Sequence, residues 1–208
     1  MIGKILGILD KEDFINRIED MVSGCSEVFT LASIDIDDFE TVNSYYGESV
    51  GDDVIKKIAS ILKQNIKNHD LVCRSNKDEF NVLFTSTSAE TGLIIVEEIR
   101  RYLDKNTFQL GGRKKEIAIK ISGGIASYPR DAKTVVELLR AADSALFRAK
   151  REGKNRICLA ENESMVQKTN YFTKTQLERL ADLSKKTDKT EAFLLREALD
   201  DLFDKYSK

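Results

Sequence analysis

The residues best equipped for chemistry are acids at the ends of apolar segments. FTLASIDI, from Phe29 to Ile36, is a β-rich run that delivers Asp35 into the acidic cluster IDIDDF. LVCRSNKDEFNVLF carries Asp78 and Glu79 in a polar centre between two apolar arms. Such arms predict a β-hairpin that turns near Asn76 and Lys77. Set beside the first strand, the hairpin lets Asp35 and Asp78 approach one another at the end of a sheet. Carboxylates held close together repel, and each is driven to take up a proton unless a cation lies between them. A hard divalent ion, Mg2+ foremost, is one answer. Acids solvated on loops are the other, and the acids alone leave both open.

Several elements must hold these groups in place. Val54, Ile58, Ile61, Leu62 and Ile66 recur at helical spacing after the first acidic cluster, giving strand, loop, helix. A helix over about Ala89 to Leu103, a strand IAIKISGGIAS, a helix from Val135 to Arg151 and a short strand RICLA follow. This order predicts an α+β fold, a ferredoxin-like sheet with flanking helices. The opening MIGKILGIL is read as an entry helix and not as a signal peptide, because it lacks a small-residue cleavage site and runs straight into DKEDF. No apolar run approaches the roughly 20 residues of a membrane helix, so no membrane partner is expected.

Composition narrows the classes further. The 208 residues are 41% apolar and 33% charged, enough for one good core and a small second one. A net charge of −2 provides no broad basic field for nucleic acid, so any such partner needs a local patch. Three cysteines, Cys25, Cys73 and Cys158, form no CxxC pair, which argues against a disulfide framework or a zinc site and fits a reducing cytoplasm.

The apolar pattern breaks at ENESMV, which reads as a linker; the expected division is 1–160, linker 161–166, and 167–208. Beyond it, QKTNYF predicts a short strand. Leu177, Leu180, Ala181 and Ser184 mark one helix, and Leu195, Leu199, Leu202 and Tyr206 a second. A strand and two helices enclose too little core alone, so this piece is expected to pair with a second copy of itself in a homodimer.

Four segments, IDIDDFETVNSYYGESVGDDVIKKIASIL, RSNKDEF, SGGIASYPRDA and AADSALFRAKREGKNR, occur in an order and at spacings that resemble the GGDEF family of diguanylate cyclases. The resemblance covers about Leu9 to Leu159. It implies a nucleotide-cyclase-like sheet and, in active members, condensation of two GTP into cyclic di-GMP with metal ions. By that resemblance Asp35, the Ile36 carbonyl and Asp78 are metal ligands and Glu79 a proton acceptor. Asn43 and Asp52 match the pair that binds guanine, while Lys150 and Lys154 match the positions that hold the triphosphate. Lys67 and Asp70 stand where the family has the arginine and aspartate of its inhibitory product site, and lysine lacks arginine's planar two-pronged contact. The signature's two glycines are Asn76 and Lys77 here. Glycine permits positive φ and leaves bare backbone against substrate, whereas the Lys77 side chain is expected to project over the ribose and α-phosphate. Nucleotide binding is therefore expected over turnover.

Val166 to Tyr206 resembles a ribbon-helix-helix domain, a small dimeric fold whose paired strands enter the DNA major groove. Thr190 is placed to cap the second helix and offer its N-terminus to a phosphate. A strand alternates faces, so either Lys168 and Asn170 or Thr169 and Tyr171 point at bases, and polarity favours the first pair. From Ser164 to Lys208 there are nine basic and eight acidic residues, a modest charge for a DNA-binding unit. The reading is a guanine-nucleotide-sensing regulator that binds double-stranded DNA. An active cyclase paired by its tail is one alternative, and an interaction scaffold that binds neither ligand is another.

Overall fold

In chain order the elements are α1 (Lys11–Gly24), β1 (Phe29–Ile36), α2 (Phe39–Tyr46), α3 (Glu48–Gln64), β2 (Leu71–Arg74), β3 (Glu79–Thr85), α4 (Ala89–Lys105), β4 (Thr107–Gln109), β5 (Glu116–Ala118), β6 (Ile121–Tyr128), α5 (Val135–Arg151), β7 (Ile157–Leu159), α6 (Lys174–Thr187) and α7 (Glu191–Tyr206). They come from a computed structural model that describes residues 7–24, 27–112, 116–161, 169–187 and 189–206. The chain divides into two units, Met1–Asn162 and Glu163–Lys208.

β1 is buried along its whole length because it lies at the centre of a five-stranded sheet ordered β2-β3-β1-β6-β7. It pairs antiparallel with β3 and β6, and β7 joins β6 in parallel. Alternation along β1 divides its side chains between two layers. Ala32, Ile34 and Ile36 enter the core shared with α3 and α4, while Phe29 and Leu31 enter the core shared with α1 and α5. Ser33 and Asp35 have the parity of Phe29 and Leu31. The α1/α5 face is thus apolar at one end of β1 and polar at the other.

α5 is held to that face by a close approach at Gly124, where an added Cβ would lie 2.0 Å from the Ala142 carbonyl oxygen and 2.2 Å from the Leu146 nitrogen. Only glycine lets this helix backbone reach the strand. The helix starts at a capping box in which Thr134 Oγ1 accepts the Glu137 N–H and the Glu137 carboxylate accepts the Thr134 N–H. A cap of this kind contributes about 1 kcal/mol.

Several expectations change. Helix α1 begins only at Lys11, Gly7 lies in a turn and Leu9 forms an isolated bridge with Cys73, so these residues are not helical, and the earlier part of MIGKILGIL lies outside the described residues. The span read as one strand from Ile117 is two: β5 pairs with β4 in a separate ribbon, and β6 continues the main sheet. α2 was not foreseen. Phe39, Val42 and Tyr46 give it an apolar stripe, and Gly47 at φ 91 separates it from α3.

In the second unit, Thr173 caps α6 reciprocally with Gln176, and Ser184 Oγ donates to the Lys189 carbonyl at 2.6 Å between the helices. Among its described residues Leu194 is the one buried apolar side chain, while Leu177, Leu183, Leu199, Leu202 and Phe203 are all exposed. Residues 169–173 are not in a strand, against the reading of QKTNYF, whose Gln167 and Lys168 lie outside the described residues. A ribbon strand gains its ladder from a second strand, and among the described residues none pairs with this segment.

Candidate active site

The register of β1 brings the acids together. Asp35 is directly opposite Glu79 on β3 and Ser122 on β6, and the Ile36 N–H donates to the Asp78 carbonyl at 3.1 Å. Asp35, Ile36, Asp78 and Glu79 thus share one sheet end. Asp35 is only 4% exposed. Burial pushes its carboxyl up to about 6, against the pull of Lys150, whose Nζ is 2.7 Å from Oδ2. Burial likewise raises Glu79 to about 6, with the Asp35 charge the next contributor. Two adjacent carboxyls, both raised chiefly by burial, form an arrangement that nearby positive charge stabilises.

Lys154 forms the second acid–lysine pair, 2.6 Å from Asp38 Oδ1, and that contact raises its ammonium above the usual lysine value. Its backbone is left-handed at φ 62, between Gly153 at 113 and Asn155 at 49. Asp37, buried beneath, accepts from Ser122 Oγ at 2.7 Å and from the Asn155 N–H at 2.9 Å. Asp37 and Asn155 went unrecognised as site residues; their parity with Asp35 and adjacency to Lys154 were the available signals.

The base-binding candidates lie on α2 and α3. Asn43 rests on bare backbone at Gly51, where an added Cβ would come within 1.8 Å of Asn43 Oδ1. Asp52 follows Gly51 on α3 and is exposed. The GDD of the sequence therefore combines a seat for one candidate with the other candidate itself.

The hairpin turn keeps its closure without glycine. Neither Asn76 nor Lys77 adopts positive φ, which corrects the expectation that this turn calls for glycine's conformational freedom. The Arg74 guanidinium gathers both carbonyls, with Nε 3.1 Å from the Asn76 oxygen and 3.1 Å from that of Lys77, and Nη2 on Lys77 as well. Asn76 Oδ1 accepts the Lys77 N–H at 2.8 Å. The Lys77 ammonium lies 3.9 Å from Glu40 Oε1 on α2, three residues before Asn43. Both partners are exposed, so this pair contributes little to stability. It nonetheless carries the lysine from the hairpin toward the helix of Asn43.

Of the two residues that the resemblance sets at a product site, Lys67 is exposed and Asp70 is buried. The Asp70 carboxylate accepts from the Lys67 N–H at 2.9 Å, the Thr85 N–H at 2.9 Å and Thr85 Oγ1 at 3.1 Å. These bonds brace the loop against β3 and occupy the group that a ligand would need.

Among the described residues no cluster of three or more His, Cys, Asp or Glu side chains is arranged to hold a metal. The oxygen donors here suit an ion that takes one or two carboxylates and fills its remaining positions from water and phosphate, as Mg2+ does.

The GGDEF family model, described as diguanylate cyclase, GGDEF domain, matches residues 7–156. The chain belongs to the GGDEF family. A ribbon-helix-helix domain model matches residues 166–207, so the GGDEF domain is followed by a second recognisable domain. The chain is 33% identical over 136 residues to diguanylate cyclase A of Treponema denticola, covering 65% of this chain and 36% of that protein. It is 32% identical over 124 residues to the response regulator PleD of Caulobacter vibrioides, covering 60% of this chain and 27% of that protein. The chain thus spans well under half the length of these relatives. The GGDEF domain of YfiN from Pseudomonas aeruginosa superposes with a TM-score of 0.71 at 28% identity, over 76% of this chain and 99% of that one. The GGDEF domain of DgcB from Caulobacter crescentus, solved in complex with c-di-GMP, gives 0.69 at 26% identity over 74% and 90%.

For the DNA-contact candidates, Lys168 lies outside the described residues. Asn170 is exposed, its Oδ1 accepting the Tyr171 N–H at 2.9 Å. Thr190 stands immediately before α7 and its carbonyl accepts the Leu194 N–H at 3.1 Å. Among the described residues no helix is long and apolar enough to cross a membrane.

Proposed function

We propose that the chain is a cytoplasmic, homodimeric regulator in which a GGDEF domain binds a guanine nucleotide and the ribbon-helix-helix domain binds DNA. Three features support this reading together: residues of suitable charge stand at the family's base, phosphate and acid positions, Lys77 occupies a signature glycine position, and the same chain continues into a ribbon-helix-helix domain. Asn43 and Asp52 recognise guanine, Lys150 and Lys154 take the phosphates, and Asp35, Asp78 and the Ile36 carbonyl hold Mg2+. The ion, when bound, supplies positive charge between the acids and the phosphate oxygens. The exposed apolar residues of α6 and α7 are covered by a second copy, and Lys168, Asn170 and the Thr190 end of α7 face DNA.

The well-closed hairpin turn favours a second reading, an active cyclase paired by its tail. Calorimetric titration of the full chain with GTP, ATP and cyclic di-GMP, with and without Mg2+, combined with DNA shift assays at each saturation, separates the two. The regulator reading requires Mg2+-dependent preference for a guanine nucleotide and a change in DNA affinity when it binds. Equal DNA affinity with and without saturating nucleotide breaks it, and steady release of cyclic di-GMP from GTP establishes the cyclase.

A further inference from the structure

The loop that presents Lys154 is conformationally unusual. Gly153, Lys154 and Asn155 are consecutive residues with positive φ, two of them not glycine. Lysine seldom adopts this region, and such backbone persists only where its surroundings over-determine it. The surroundings here converge on Asn155. Its N–H donates to Asp37 at 2.9 Å, its Nδ2 donates to Asp104 Oδ1 at 3.0 Å, and its Oδ1 accepts from Arg100 Nη1 at 2.8 Å.

Arg100 is itself well fixed. Its side chain is 13% exposed, and it grips Glu97 with two bonds of 2.8 Å, one from Nε and one from Nη2. A planar guanidinium held along one edge presents its remaining nitrogen in a fixed direction, which an ammonium on a flexible stem does not do. A chain of oriented contacts therefore runs from Glu97 and Arg100 on α4, through Asn155, to the backbone of Lys154. None of α4 lies among the segments singled out in the sequence for chemistry.

We infer that Arg100 is a positioning residue of the nucleotide site: by holding Asn155 in its left-handed conformation it directs the Lys154 ammonium toward the phosphates of a bound guanine nucleotide. The inference rests on the nucleotide-binding reading above. Arg100 acts through Asn155 and touches no ligand itself. Its effect is thus selective for ligands whose β- and γ-phosphates reach Lys154, and the guanine contacts at Asn43 and Asp52 are untouched.

The test compares GTP with GMP, which lacks the two outer phosphates, on the full chain in Mg2+ buffer by calorimetry. Arg100→Ala is expected to weaken GTP about tenfold and to leave GMP within about twofold. Adding Asn155→Gly, which accepts positive φ while keeping the N–H to Asp37, is expected to restore most of the GTP affinity. Equal weakening of GTP and GMP, or unchanged GTP affinity, overturns the inference. Amide hydrogen exchange of the nucleotide-free chain decides the matter even if the wild type binds no GTP, an outcome that sinks the functional reading instead. Arg100→Ala should then speed exchange at Lys154 and Asn155 and leave β1 and β6 as protected as before; unchanged exchange at those two amides overturns the positioning role.

Discussion

Lys150 sits 2.7 Å from Asp35, a buried carboxyl that faces Glu79 across the strand pair, so a single ammonium offsets the electrostatics of two acids. Removing it leaves the acids without that cation.

Lys150→Met should cost about 2 kcal/mol at pH 8, and the loss should shrink at pH 5, below the value of about 6 at which Asp35 takes up its own proton. In the double variant Asp35→Asn with Lys150→Met, stability should return while nucleotide affinity does not. Chemical denaturation at the two pH values, read as a double-mutant cycle, measures the coupling.

Glu79→Gln tests the companion acid. The folded carboxyl stands at about 6 against an ordinary 4.5, so the native state binds more protons than the unfolded one between those values. Native stability therefore falls as pH rises through this window and stays lowered above it. In Mg2+-free buffer, Gln should stabilise by up to roughly 2 kcal/mol at pH 7.5 and give no gain at pH 4. A gain independent of pH would remove the electrostatic explanation.

On the proposed reading the Lys77 side chain, and not the backbone of the turn, is what opposes turnover, because neither Asn76 nor Lys77 has positive φ. Lys77→Ala alone should therefore release as much cyclic di-GMP, measured by chromatography, as the double change Asn76→Gly with Lys77→Gly. The double glycine variant should be less stable by roughly 1 kcal/mol, since glycine enlarges the unfolded ensemble at positions that do not need its freedom. Product from the glycine variant alone would show that substrate needs bare backbone at this turn.

Gly51→Ala separates folding from recognition. Alanine favours the helix, but its Cβ claims the space of Asn43 Oδ1. The variant should melt near the wild-type temperature and lose GTP affinity about fivefold, as measured by calorimetry. A variant that binds GTP normally would dissociate Asn43 from the base.

The long elements were legible in the sequence because their periodicity is sustained. α5 spans Val135–Arg151 as expected, and β1 spans Phe29–Ile36. The β4–β5 ribbon was not, because three-residue strands flanked by exposed positions carry too little alternation to register. The acids of the site could be read because strand parity and hairpin geometry are local properties. The partners of Asp37 and Lys77 could not. Asn155 and Glu40 reach them through tertiary packing, and the local sequence signals that place each residue near the site do not say which partner it meets.

The alternation in β1 also determines which genetic lesions this domain can survive. A substitution at Ser33 or Leu31 alters the contacts of that one side chain and leaves the remainder in phase. Loss or gain of a single codon between Phe29 and Asp35 turns every later side chain to the opposite layer, carrying Asp35 in among Val54, Ile58 and Phe80 and turning Ile34 toward Lys150. The reading frame downstream of a three-base change would be intact, yet the charge meant for the mouth of the site would be sealed inside a hydrocarbon layer. Length across these eight residues is therefore under tighter constraint than identity at most of them.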